Sequence, residues 1–266
     1  QIFDATGIHS LELLAASLHG MLTSSANRWF SLRFKEAVLN EDDEAREWLE
    51  DSIDKMYLAF ARSNFQQEIF ENYHDLIAFG TSCLMVEEDE EDVIRFSARH
   101  IKEIYVEENK KGLIDNVYRK FKITADQAVQ KFGLENLSKE INNTYKTHPY
   151  DEVEICHIVR PRFSYDSSKQ DKKNMKFQSI YFEHGTDHII SVGGFNENVY
   201  VVSRYLKSST EIYGRSPAMN ALPDVKVLNK MVEHGLKATA KMIDPPLLVP
   251  DDSMLAPVRM TPGSLN

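Results

Sequence analysis

The chain has no glycine-rich phosphate loop, no Walker lysine, no G-x-S-x-G elbow and no cysteine paired with histidine as a nucleophile. The common nucleotide-hydrolysing and acyl-transfer chemistries therefore lack their parts. Cysteine is nearly missing: Cys83 and Cys156 are the only 2 among 266 residues. They lie far apart without a C-x-x-C partner, which excludes a disulfide framework and fits reduced thiols in an intracellular protein. No apolar run approaches the roughly 18–20 residues that span a bilayer, and nothing resembles a signal peptide, so no membrane partner is expected. Basic residues are in deficit, 31 against 41 acidic, for a net charge of −10. That balance excludes a protein that grips nucleic acid through a broad basic face. Internal repeats and low-complexity linkers are also absent, and no cofactor is implied.

What is present suffices for one large core or two modest ones, since 42% of residues are hydrophobic and 10% aromatic. Helical periodicity runs from Thr6 to Leu22 through Ile8, Leu11, Leu14 and Leu18, then again from Asp43 to Ser63 and from Phe65 to Phe79, with Gly80 as a C-cap. Between the first two, Trp29-Phe30-Ser31-Leu32 reads as extended. From Cys83 to Ile123 the period changes to two, predicting an antiparallel meander. Its acidic run Glu87–Asp92 reads as a hydrated hairpin tip, because calcium needs spaced ligands and a glycine turn. Thr124 and Gln127 form a capping box that starts a helix through Phe132, and a second helical piece covers Leu137 to Asn142. After Pro149 the alternation returns in Val153–Val159, Phe177–Phe182, His188–Val192 and Val199–Tyr205. Gly193-Gly194 is expected to turn between the last two. The fold class is α+β.

The most informative stretch is Glu211-Ile212-Tyr213-Gly214-Arg215-Ser216-Pro217-Ala218-Met219-Asn220-Ala221-Leu222-Pro223-Asp224-Val225-Lys226-Val227-Leu228-Asn229-Lys230. It reads as a loop turned sharply into a helix. Gly214 offers the left-handed or strained backbone such a turn needs, Ser216 is an N-cap, and Pro217 takes the first helical position, where its missing N–H costs nothing. Tyr213, Gly214, Arg215 and Pro217, with the following Leu-Pro-Asp-x-Lys-x-Leu-Asn, resemble the junction of the portal, or head-to-tail connecting, proteins of short-tailed bacteriophages. The opening Ile2-Phe3-Asp4-Ala5-Thr6-Gly7, with its following helix and Trp29-Phe30, resembles the same family.

The resemblance implies a portal-like α+β subunit. Residues 1–122 would form a wing of helices then antiparallel sheet, 123–146 a first stem helix, 147–212 a clip-like β module, and 213–243 a second stem helix. Residues 244–266 would start the tunnel-loop region, with the chain a fragment cut at both ends. The family forms homo-oligomeric rings, dodecamers, at one capsid vertex of the virion. Double-stranded DNA enters and leaves through the ring, which docks the packaging terminase and later a tail adaptor, and meets capsid and scaffold proteins. Assembly would take place in the host cytoplasm. Catalysis would belong to the motor, so this chain is not expected to be an enzyme.

On a wheel of about 100° per residue, Lys226, Lys230, Lys237 and Lys241 share one side of the helix after Pro223, with His234 and, at its edge, Glu233. Leu228, Met231, Val232, Gly235, Thr239 and Met242 lie opposite. Two readings stand for the lysines: a weakly basic rung facing DNA phosphates in the channel, or an ordinary solvated face supported by Glu233 and Lys237 at i,i+4. Pro245 is expected to stop this helix, and Asp251–Leu255 to approach the tunnel loop. Two alternatives come from other classes. One is a metal-dependent hydrolase using His184, Asp187 and His188, although Gly185-Thr186-Asp187 also reads as a hairpin turn. The other is a structural ring adaptor that never contacts DNA.

Overall fold

Three helices open the chain in the computed structural model, which describes residues 1–166, 168–169, 171–186 and 188–243. They are α1 (Thr6–Leu22), α2 (Asp43–Arg62) and α3 (Phe65–Phe79), as the periodicity predicts. Gly80 ends α3 in the left-handed conformation at φ 76°, where a side chain would be strained. Trp29 and Phe30 belong to no strand. Instead the Tyr57 hydroxyl accepts both their amides at 2.6 and 2.8 Å, and Trp29 stacks on Phe65 with centroids 5.7 Å apart.

The strands are β1 (Thr81–Asp89), β2 (Val93–Arg99), β3 (Ile104–Glu108), β4 (Ile114–Thr124), β5 (Glu152–Pro161), β6 (Phe177–Glu183), β7 (Ile189–Phe195) and β8 (Tyr200–Arg204). They form two sheets rather than the expected meander plus separate module. One has the order β2-β1-β8 and the other β3-β4-β5-β6-β7, with antiparallel neighbours throughout. The 147–212 stretch is therefore not a β module of its own. Its β5 extends the sheet begun by β3 and β4, and β8 returns to β1. Gly193 and Gly194 sit inside β7 rather than in a turn, and a Cβ at Gly194 would stand 2.9 Å from the Phe177 carbonyl oxygen.

The segment 123–146 holds two short helices, α4 (Ala125–Phe132) and α5 (Lys139–Thr147), not one stem-length helix. The Thr124–Gln127 capping box starts the first, and Gly133 at φ 80° breaks the path. Both helices bury Ala125, Ala128 and Ile141 against Phe121 and Ile155 of the five-stranded sheet.

Packing on the three-stranded sheet comes from α3, through Phe65, Ile69 and Tyr73 against Leu84 and Phe96. The same helix closes the outer edge of β2. Asn64 accepts from the Phe96 amide at 2.9 Å and donates to its carbonyl at 2.8 Å, while Glu68 accepts from the Ala98 amide at 2.6 Å. An edge so satisfied offers little to a foreign strand.

Between two apolar clusters on the five-stranded sheet runs a polar row in register: Arg119 on β4, His157 on β5 and Tyr181 on β6. His157 is 1% exposed. Its ring stacks on Tyr181 at 3.8 Å and bonds to the Tyr200 hydroxyl at 2.7 Å and Ser179 Oγ at 2.9 Å. A neutral imidazole donates through one nitrogen and accepts at the other, so both contacts are satisfied. Burial pushes its pKa down to about 3, helped by the Lys131 and Arg119 charges. Arg119 spans to Glu103 at 3.0 Å and covers the Phe121 ring. Because Tyr200 lies on β8, His157 links the two sheets.

The chain divides into two compact units. One joins Gln1–Gly7 to the residues from Leu222 onward, and the other is Ile8–Ala221. The last helix, α6 (Pro217–Ile243), contributes to both. Among the described residues no helix is long and apolar enough to cross a membrane.

Candidate functional site

The Tyr213–Pro217 motif is a structural knot inside the larger unit. Gly214 donates its amide to Thr81 Oγ1 at 2.7 Å, and Tyr205 donates to the Gly80 carbonyl at 2.9 Å. The backbones of Gly80 and Gly214 touch. A Cβ on Gly80 would stand 2.5 Å from the Gly214 carbonyl oxygen, and one on Gly214 would strike the Gly80 carbonyl. Gly214 is thus required for close approach, and the positive φ belongs to Gly80 instead. Of the left-handed or strained backbone expected at Gly214, the left-handed form is not adopted there.

Ser216 is the N-cap of α6, accepting from the Met219 amide at 2.9 Å. Its hydroxyl donates at 3.0 Å to the carbonyl of Ala78 in the last turn of α3. One side chain therefore satisfies a free N–H at one helix start and a free carbonyl at another helix end. Pro217 begins the helix as expected. Arg215 pairs with Glu211 through two bonds, at 2.8 and 2.6 Å, and donates its amide to Leu206. Tyr213 is exposed. Arg204 contacts Glu108 and the carbonyls of Gly112 and Ile212, and Lys207 also reaches Glu108 at 2.5 Å. The β3–β4 hairpin is thereby fastened to the motif.

In the smaller unit, the two stretches that carry the sequence resemblance meet. Asn229, the final Asn of Leu-Pro-Asp-x-Lys-x-Leu-Asn, accepts the amides of Phe3 and Asp4 at 2.7 and 3.1 Å and donates to the Gln1 carbonyl at 3.4 Å. Asp4 then caps α1 by accepting from the Thr6 amide at 3.0 Å. Gly7 faces Val225, whose Cγ1 would be 3.0 Å from any Cβ placed there. Sequence reasoning missed these roles, although the presence of Asn229 and Gly7 in the resembling motifs was the available signal.

On α6, Lys226, Lys230, Lys237 and Lys241 are all exposed, and none of the helix's 27 residues is buried. Glu233 pairs with both Lys230 and Lys237, each at 2.6 Å. These two hydrogen bonds hold its carboxyl down at about 2. Among the described residues, Lys226 and Lys241 make no ion pair. Met231, at the border of the apolar stripe, is 66% exposed, and no residue of that stripe is buried in the single chain. Pro223 lies inside the helix, as a start at Pro217 requires. The Pro245 stop and the Asp251–Leu255 approach to the tunnel loop lie outside the described residues.

The histidines of the metal reading are engaged separately. His184 lies 3.9 Å from Cys156 and 3.7 Å from Glu154. His188 bonds the Asn136 carbonyl at 2.8 Å and approaches Glu183. Asp187 lies outside the described residues, and among those described no three His, Cys, Asp or Glu side chains are placed to hold a metal.

Comparison with known proteins gives one family. The profile of the bacteriophage head to tail connecting protein matches residues 1–266. The portal protein of Salmonella phage epsilon15 is 31% identical over 269 residues, covering 100% of this chain and 48% of that protein. The probable portal protein of Bordetella phage BPP-1 is 31% identical over 268 residues with the same coverage. The chain spans about half the length of the curated relatives it matches. Neither comparison supports the hydrolase or the adaptor that avoids DNA.

Proposed function

The chain belongs to the bacteriophage head-to-tail connecting protein family, and on that premise we propose that it is the core portion of a portal subunit. In this reading a closed ring of about twelve copies occupies one capsid vertex of the virion. Double-stranded DNA passes through it during packaging and ejection. The packaging terminase and the tail adaptor dock on it in turn, and capsid and scaffold proteins surround it during assembly in the host cytoplasm. Residues 1–122 belong to the wing, 123–146 to the first stem piece, 147–212 to the clip side, 213–243 to the second stem helix, and 244–266 to the tunnel-loop start.

The observation that carries the proposal is α6. A 27-residue helix with no buried residue is about 40 Å long. It presents a lysine stripe on one side and an apolar stripe on the other. Copies of the chain packed side by side would cover the apolar stripe and turn the lysines toward the DNA. The net charge of −10 suits a conduit that holds DNA loosely, since each added phosphate contact strengthens binding through counterion release. The motor supplies the ATP chemistry, and this chain supplies the pore.

Mass photometry and negative-stain microscopy of the full-length protein should show a hollow ring, and the purified ring should turn over no nucleotide. A stable monomer at high concentration, or ATP hydrolysis without a partner, would overturn the proposal.

A further inference from the structure

We propose that Glu233 is a built-in competitor for DNA phosphate that sets how tightly the lysine face of α6 holds the duplex. The inference rests on the reading of that face as DNA-facing and adds a residue that regulates it.

The four lysines fall within about 60° of one another around the helix. Glu233 lies at their edge and divides its carboxylate between two of them. Oε2 accepts from Lys230 and Oε1 from Lys237, both at 2.6 Å. The Glu233 side chain is only 12% exposed, whereas those of Lys230 and Lys237 are 68% and 66% exposed. The carboxylate is therefore drawn in under two ammonium groups that still face solvent. It is ionised near neutral pH, its pKa being held down at about 2 by those two hydrogen bonds.

Lys230 also belongs to a second arrangement. With Lys226 and His234 it lines a shallow groove of about 460 Å³ along the helix, whose far wall is Val227 and Met231 at the border of the apolar stripe. A phosphate entering this groove finds Lys226 without a carboxylate partner. It must draw Lys230 away from Glu233 to gain a second cation. Breaking one ion pair to make another is nearly neutral in water, so the second contact adds little affinity. One carboxylate offsets only one of the two ammonium charges it holds, so the Lys230–Glu233–Lys237 group has a net charge of +1 and releases about one condensed cation from the DNA rather than two. Of the four lysines, Lys226 and Lys241 then act as full phosphate contacts, and Lys230 and Lys237 together count as about one. The latter pair can follow a moving strand without fixing it.

The test uses assembled full-length rings and a short DNA duplex, with affinity measured by fluorescence anisotropy from 50 to 200 mM salt. Glu233→Gln frees Lys230 and Lys237. The slope of log K against log salt should steepen by up to about 0.9 for each such group engaged, since one negative charge is removed, at about 0.9 per phosphate neutralised. Between the two ends of the salt range that amounts to roughly a three- to fourfold added change. Glu233→Asp keeps the charge and should stay close to the parent slope. Lys226→Gln with Lys241→Gln should flatten the slope in either background. If the double lysine variant flattens the slope while Glu233→Gln leaves it unchanged, the regulatory role is wrong and the lysine face survives. If neither variant moves the slope, the lysine face itself is wrong, and this proposal falls with it. Rings that fail to assemble as Glu233→Gln would also overturn it, because the carboxylate would then serve contacts between subunits.

Discussion

At the Gly80–Gly214 contact, backbone groups find their partners within the chain and two glycines make room for each other. Along α6 from Leu222 to Ile243 the reverse holds, with apolar side chains such as Met231 and Met242 left in solvent. The first region is complete in one copy. The second makes physical sense only when something else covers it, because an exposed apolar stripe of this length marks an interaction surface. The knot therefore serves the fold of the subunit, and the helix, on the proposed function, serves assembly. The contrast can be tested from either side.

The largest effect is expected at the knot. Gly214→Val places branched carbons against the Gly80 carbonyl, and neither backbone can retreat without losing the Thr81 bond. A loss on the order of 3 kcal/mol or more is expected, seen as insoluble protein or a collapse of the denaturation midpoint. A soluble variant of parental stability would show that the two glycines do not need their close approach.

Met231→Asp with Val232→Asp should act at the other extreme. Neither residue is buried in the single chain, so circular dichroism and thermal unfolding of the subunit should change little while the ring is lost in mass photometry. Unfolding of the monomer would place the stripe in the subunit's own core and erase the contrast.

His157 sharpens the comparison through pH. Its folded pKa of about 3 lies below the unfolded value near 6.5. Below pH 6.5 the unfolded chain binds a proton that the folded chain refuses. Stability from this group is therefore fully present above about pH 6.5 and is lost as pH falls toward 3. The slope attributable to it approaches about 1.4 kcal/mol per pH unit in that window. Urea titrations of His157→Gln should show a shallower acid dependence than the parent. An unchanged dependence would remove His157 from the account.

The smallest effect is at the strap. Asn229→Ala removes three bonds to the backbone of residues 1–4 and should cost about 1–2 kcal/mol. Hydrogen exchange should accelerate at Phe3 and Asp4 and stay unchanged at Gly214. Acceleration at both would mean that the strap and the knot open together.

Much of this was legible in local pattern. The bounds of α1 and α3, the Gly80 cap and the Thr124–Gln127 box follow from spacing and capping chemistry alone. Sheet membership was not legible, because β8 finds β1 from more than a hundred residues away and alternation is the same whichever partner is chosen. The row Arg119–His157–Tyr181 was invisible for the same reason, as its members become neighbours only through strand register. At the lysine face, the i,i+4 pairing of Glu233 with Lys237 could be read from spacing, but the simultaneous hold on Lys230 needed side-chain geometry. The start of α6 at Pro217 was legible in the capping pattern, while the close approach that requires Gly214 was not.

The Asn229 strap also has a consequence for how the chain is made. The amide of Asp4 bonds a side chain 225 positions downstream. At roughly 5–20 residues per second of synthesis, the opening segment leaves the ribosome some 10–45 s before its partner. During that interval Ile2 and Phe3 lack the helix they will lie beside, although strands β1 and β2 can already pair. The segment around Asp4 is thus among the last parts to settle, and the nascent chain cannot close its smaller unit until α6 has emerged.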